Sequence, residues 1–108
     1  MAIIKFLDSV KINGAHFEPH IARILQLARD TAPPFVDATL WVTSANDGRH
    51  MQGSRHYTNE AFDLRVRNIR GHVSREAKEW AARLKERLGR GYDVVFEGDH
   101  IHVEFDPN

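Results

Sequence analysis

Two stretches of strict alternation constrain this chain more than any other feature. In Ala61–Arg67, Phe62, Leu64 and Val66 alternate with Ala61, Asp63, Arg65 and Arg67. In His100–Phe105, Ile101, Val103 and Phe105 alternate with His100, His102 and Glu104. A period of two is the signature of a strand with one face on a core and one face open. The second stretch is preceded by another, from Tyr92, and Gly98-Asp99 separates the two. Gly at the first turn position suits a two-residue type II′ hairpin.

Between these strands the period changes. Ala77, Trp80, Ala81, Leu84 and Leu88 recur at helical spacing, with Ser74 as the expected N-cap and Gly89 or Gly91 as the stop. A first helix is expected over Glu18–Ala32, with Ile21, Ile24, Leu25 and Ala28 inward, ended by Pro33-Pro34. Thr39–Thr43 reads as a buried strand, Asn13-Gly14 as a turn, and Ser44–Gln52 as a polar loop. Trp80 belongs to the apolar stripe of its helix, and Trp41 is read as core with it. The expected fold is α+β: a small, mainly antiparallel sheet with two helices on one face, residues 1–108 forming one domain.

Composition narrows the chemistry. Fifteen basic and fifteen acidic residues cancel, which removes the charge footprint of a nucleic-acid binder. With no cysteine, neither disulfides nor thiolate metal sites can form, so a metal would need carboxylates and some of the seven histidines. No run approaches the length of a membrane span, and Met1–Asp8 is too short in apolar residues for a signal peptide. The expectation is a cytoplasmic product as synthesised, monomeric, with no nucleic-acid or membrane partner.

Asp63 and His102 both project from the polar side of a strand whose other side is apolar. In one sheet over the helices, both would point into the same open groove. His56 lies in the loop feeding the Asp63 strand and can reach that groove. Two imidazoles and a carboxylate are a standard ligand set for catalytic zinc, with the fourth position left for water.

Ser54-Arg55-His56-Tyr57-Thr58-Asn59-Glu60-Ala61-Phe62-Asp63 resembles the Ser-x-His-x-x-Gly-x-Ala-x-Asp signature of the M15 peptidases, which include D-Ala-D-Ala carboxypeptidases and dipeptidases and phage L-alanyl-D-glutamate endolysins. Asp99-His100-Ile101-His102 resembles both the acid-x-x-His element of that family and the His-x-His of its wider group, which also holds lysostaphin-type enzymes and the hedgehog signalling domain. The resemblance spans roughly Val42 to Phe105.

The resemblance implies zinc as cofactor, with His56, Asp63 and His102 as ligands on the open face of a hedgehog/DD-peptidase-like sheet. It implies hydrolysis of peptidoglycan stem peptides containing D-amino acids. The family acid three residues before the last ligand is here Asp99; Glu97 competes for the base role, and His100 matches the assisting histidine of the lysostaphin branch. Asn59 stands where the family has Gly, a residue that tolerates positive φ better than most. Arg49 is a displaced counterpart of the family's substrate-binding arginine, and Arg65 is a second candidate for an anionic substrate group. Release by phage lysis would fit a chain without a leader.

Other readings compete. Asp99-His100-Ile101 resembles the start of an HNH nuclease motif, but the helix with further ligands does not follow. His100-x-His102-x-Glu104 resembles a cupin motif without its second half. The functional alternative is a zinc-binding module of the same fold without activity. His16, His20, His50 and His72 are read as surface or loop residues, and Glu104 as a partner of Arg65 or a bystander.

Overall fold

A computed structural model describes residues 2–8, 10, 19–44 and 61–106. The Asn13-Gly14 turn, the loop after Ser44, and the candidate residues His56 and Arg49 lie outside the described residues. So do His16 and His50.

The elements run β1 (Ile3–Phe6), α1 (Pro19–Thr31), β2 (Thr39–Ser44), β3 (Ala61–Arg65), α2 (Val73–Leu88), β4 (Tyr92–Phe96) and β5 (His100–Phe105). The strands form one sheet in the order β1-β2-β3-β5-β4. Among the described residues, the β1–β2 pair is parallel and the other three pairs are antiparallel. The architecture is α+β, as the patterning predicts.

β1 was not legible in the sequence. Its four residues are too few to show a period, and Ile3 is largely exposed at the sheet edge. It is a strand because α1 carries the chain back over the sheet, which lets β1 lie parallel beside β2, the usual outcome of a strand–helix–strand crossover.

One core joins all the elements. Leu40 and Val42 of β2, Phe62 and Leu64 of β3, and Ile101 and Val103 of β5 are each fully buried. They pack with Ile21, Ile24 and Ala28 of α1 and with Ala77, Trp80 and Leu84 of α2. Leu27, rather than Leu25, is the buried leucine of α1. The indole N–H of Trp80 donates to the Ala28 carbonyl at 3.0 Å, so the largest core side chain buries no unpaired donor.

α2 starts two residues earlier than an N-cap at Ser74 implies. His72 is the N-cap, and its Nδ1 accepts from the Arg75 N–H at 3.2 Å. An imidazole nitrogen thus does what Ser, Thr or Asp usually does. Gly89 ends α2 at φ 82°, donating its N–H to the Lys85 carbonyl. His20 is likewise no bare surface residue: its ring stacks on Phe105 with centroids 4.1 Å apart.

The β4–β5 hairpin closes over Gly98-Asp99. Glu97 N–H donates to the His100 carbonyl at 2.9 Å, and Gly98 has φ +95°. That register fixes which side chains share the open face: Glu97 faces His100, and Val95 faces His102.

Candidate metal and catalytic site

The site is built across the β3–β5 ladder. Asp63 pairs with His102, and Arg65 with His100, so two neighbouring rungs present their polar side chains together. His102 Nδ1 lies 2.9 Å from Asp63 Oδ1. His102 Nε2 lies 2.8 Å from Glu104 Oε1, the next residue on the same face. Both side chains of the central pair are about one-fifth exposed, so the groove is accessible but partly desolvated.

β2 contributes a distortion. Val42 pairs with Leu64 but Ser44 pairs with Asp63, so Thr43 is an extra residue opposite that step. The Thr43 hydroxyl donates to the Asp63 carbonyl at 3.4 Å. Bulges of this kind re-aim side chains beside functional sites. Here it places the bend next to the candidate ligand.

Glu104 takes on a role that sequence reasoning missed. Holding Nε2, it leaves Nδ1 as the ring atom directed at Asp63. A ligating histidine commonly donates its other N–H to a carboxylate, which fixes tautomer and orientation. The available signal was the alternation itself: Glu104 lies two residues from His102 on one strand face.

Among the described residues, Asp63 and His102 bring two potential ligand atoms together, and no group of three carboxylate or imidazole ligand atoms includes them. Nδ1 and Oδ1 already approach within 2.9 Å, whereas tetrahedral ligands at bonds of about 2.0–2.2 Å sit roughly 3.3–3.6 Å apart. To ligate a cation the pair would have to open by under an ångström, and His102 Nδ1 would have to give up the proton it shares with Asp63. Without metal, His102 holds a proton firmly: the hydrogen bond to Asp63 is the largest influence, burial opposes it, Glu104 adds to it, and the pKa rises to about 9.

His100 is held from two sides. Its Nδ1 meets Asp99 Oδ1 at 2.5 Å, and its Nε2 meets Glu97 Oε1 at 3.2 Å. The same Nε2 is 3.9 Å from Asp63 Oδ1. Burial works against its charged form, but the Asp99 hydrogen bond and the charges of Asp63, Asp99 and Glu97 outweigh it, so its pKa is raised. The three candidates for proton transfer thus form one cluster, in which His100 stands nearest the Asp63–His102 pair and the two carboxylates grip its ring.

Trp41 differs from its expected place. It is on the open face rather than in the core, half-buried, beside Arg65. The Arg65 guanidinium lies 5.5 Å from the Trp41 ring centroid, and Lys5 Nζ lies 5.8 Å from it. Asp37 Oδ2 accepts the indole N–H at 2.9 Å. An indole ring with two cations within 6 Å of its centroid is a cation–π arrangement, and it sets Arg65 beside the ring one residue pair from Asp63. A cleft of about 560 Å³ runs along this region, lined among others by Asp63, Arg65, Arg67, Asp99 and His100.

A further carboxylate group, Asp93, Glu104 and Asp106, brings one oxygen from each residue within 4.8 Å of the others. It includes Glu104, which also contacts His102, but neither Asp63 nor His102 itself. No helix among the described residues is long and apolar enough to cross a membrane.

Set against known proteins, the chain matches no family model, no curated protein sequence and no solved structure.

Proposed function

We propose that this chain is a zinc-dependent peptidase of the M15 kind, acting on D-amino-acid-containing stem peptides of peptidoglycan. The observation that carries the reading is the approach of Asp63 Oδ1 and His102 Nδ1 to 2.9 Å on the open sheet face, with His100 Nε2 3.9 Å from the same oxygen. Asp63 and His102 would hold the metal together with His56, which belongs to the motif by sequence. When bound, zinc supplies a Lewis acid for the scissile carbonyl and makes water nucleophilic at neutral pH.

The remaining work falls to the chain's own side chains. Glu104 keeps the His102 ring turned with Nδ1 inward. A carboxylate of the pair Asp99 and Glu97 would take the proton of the attacking water, and His100, whose two ring nitrogens both donate to them, would give one to the leaving amine. Proton transfer then belongs to the His100 cluster, with Asp99 and Glu97 setting its orientation and charge. Arg65, backed by Trp41, offers a guanidinium to an anionic group of the peptide. Arg49 is a second candidate for that role.

The competing reading is a zinc-binding module without activity. It requires the proton-transfer candidates to turn away from the metal pair. The orientation of His100 Nε2 toward Asp63 favours the enzyme. A chain of this kind acting on cell walls fits release by phage lysis.

Digestion of purified peptidoglycan, with mass spectrometry of the products, tests the reading. Zinc-loaded protein should release new peptide termini, and a chelator should stop it. Stoichiometric zinc without any cleavage would favour the inactive module; no zinc binding would reject both.

A further inference from the structure

A second concavity, of about 880 Å³, lies apart from the Asp63–His102 site, at the last turns of α1 and α2 and the segment that follows α1. Arg29, Arg70 and Arg87 line it, together with Pro33, Pro34 and Phe35; Asp30 is its acidic residue. These arginines differ from two others nearby. Arg83 donates from Nε and Nη2 to the Thr31 carbonyl at 3.0 and 2.9 Å. Arg23 donates from Nη2 to the carbonyls of Arg87 and Leu88 at 3.1 and 3.3 Å. Both satisfy carbonyls at a helix C-terminus.

Among the described residues, no acceptor engages the guanidiniums of Arg29, Arg70 or Arg87. The Nε of Arg29 is shielded from solvent and has no hydrogen-bond partner. Attraction to helix C-termini accounts for Arg29 and Arg87 being near their ends. It does not explain the presence of Arg70, which lies on no helix.

We infer that this concavity is a binding site for a phosphomonoester with a compact organic body. Three guanidiniums less the Asp30 carboxylate leave two positive charges. A phosphomonoester carries about −1.5 to −2 at neutral pH and offers three acceptor oxygens, whereas a carboxylate carries only one charge. Guanidinium groups match phosphate geometry in paired hydrogen bonds. Pro33, Pro34 and Phe35 give an apolar wall for the rest of the ligand, and the volume is in the ordinary range for small-molecule sites. The site is independent of zinc and of peptide cleavage.

Titration of the zinc-loaded protein with phenyl phosphate, inorganic phosphate and benzoate tests it, read by calorimetry and by the Arg29 Nε–H signal in NMR. Phenyl phosphate should bind saturably and shift that signal, at least ~10-fold tighter than benzoate, as one additional charge-assisted interaction would give. Arg70→Gln and Arg87→Gln, both at exposed positions, should each weaken binding by ~10-fold. Arg90→Gln, outside the concavity, should leave it unchanged. No saturation by ~10 mM phenyl phosphate, equal binding of benzoate, or binding indifferent to both Arg70→Gln and Arg87→Gln would overturn the inference. Inorganic phosphate binding as tightly as phenyl phosphate would overturn the organic body as part of it.

Discussion

The two faces of the β3–β5 ladder are made by the same strands, yet they answer to different physics. On the inner face Phe62, Leu64, Ile101 and Val103 are fully buried, and any apolar side chains of similar volume would hold the sheet to the helices. On the open face Asp63, His100, His102 and Glu104 depend on pairwise distances of 2.8 to 3.9 Å. Burial is non-directional and forgiving of detail. Metal ligation and proton transfer are directional and fail with small displacements. Adjacent residues on one strand should therefore fail in different ways.

The sharpest contrast is between Asp63 and Leu64. On the proposed function, Asp63→Ala should fold but lose tight zinc binding, and with it essentially all cleavage, because that reading makes Asp63 a ligand. Leu64→Ala should lose about 2–5 kcal/mol of stability, while its folded fraction still binds zinc. Metal analysis beside urea denaturation separates the two. Retention of stoichiometric zinc by Asp63→Ala would remove Asp63 from the metal site.

His100→Ala comes next. It should keep zinc and lose ~10²–10⁴-fold in turnover, the usual worth of a positioned acid or base. Asp99→Ala and Glu97→Ala remove only one hold each on its ring, so each should cost less than His100→Ala. If Asp99→Ala costs as much as His100→Ala, Asp99 is the carboxylate that takes the water's proton.

Glu104→Gln sharpens the account of the open face. It keeps shape but removes the charge beside His102 Nε2, and should lower zinc affinity by about 10–100-fold, the typical effect of removing such a partner. An affinity unchanged within error would mean that another group orients the ring.

The smallest effect is on the pH dependence of the metal-free protein. His102 has its pKa raised from 6.5 to about 9, chiefly by its hydrogen bond with Asp63. A group with a raised folded pKa binds its proton more tightly when folded, so its stabilisation is complete below the unfolded value and fades as pH rises through the folded one. Urea midpoints should therefore fall between pH 6.5 and about 9 in the metal-free protein. In Asp63→Asn that fall should shrink. A profile identical in both proteins would detach His102 from Asp63.

Much of the fold was legible because each signal was local and periodic. The α2 stripe from Ala77 to Leu88 and the alternation in β3 and β5 need only the nearest few residues to state which side faces inward. The Gly98-Asp99 turn set the hairpin register, and with it the placing of Glu97 opposite His100. β1 was invisible because four residues carry no period, and its pairing depends on the return of α1. His72 displaced Ser74 as N-cap because an imidazole can accept a hydrogen bond where the chain brings it close, which composition does not reveal.

For the candidate site, the sequence by itself determined which side chains share a strand face, because the backbone repeats every two residues. It placed Asp63 with Arg65, and His100 with His102 and Glu104, on the faces opposite the core. Only the tertiary structure decided which rung of one strand meets which rung of the other. Strand pairing set Asp63 beside His102 and Arg65 beside His100, and the extra residue at Thr43 set Ser44 against Asp63. It also put Trp41 under Arg65 rather than in the core, since its strand neighbours Leu40 and Val42 fill the inner face. Those choices are non-local: they depend on hydrogen bonds between segments 39 residues apart in the chain, and no period within either segment encodes them.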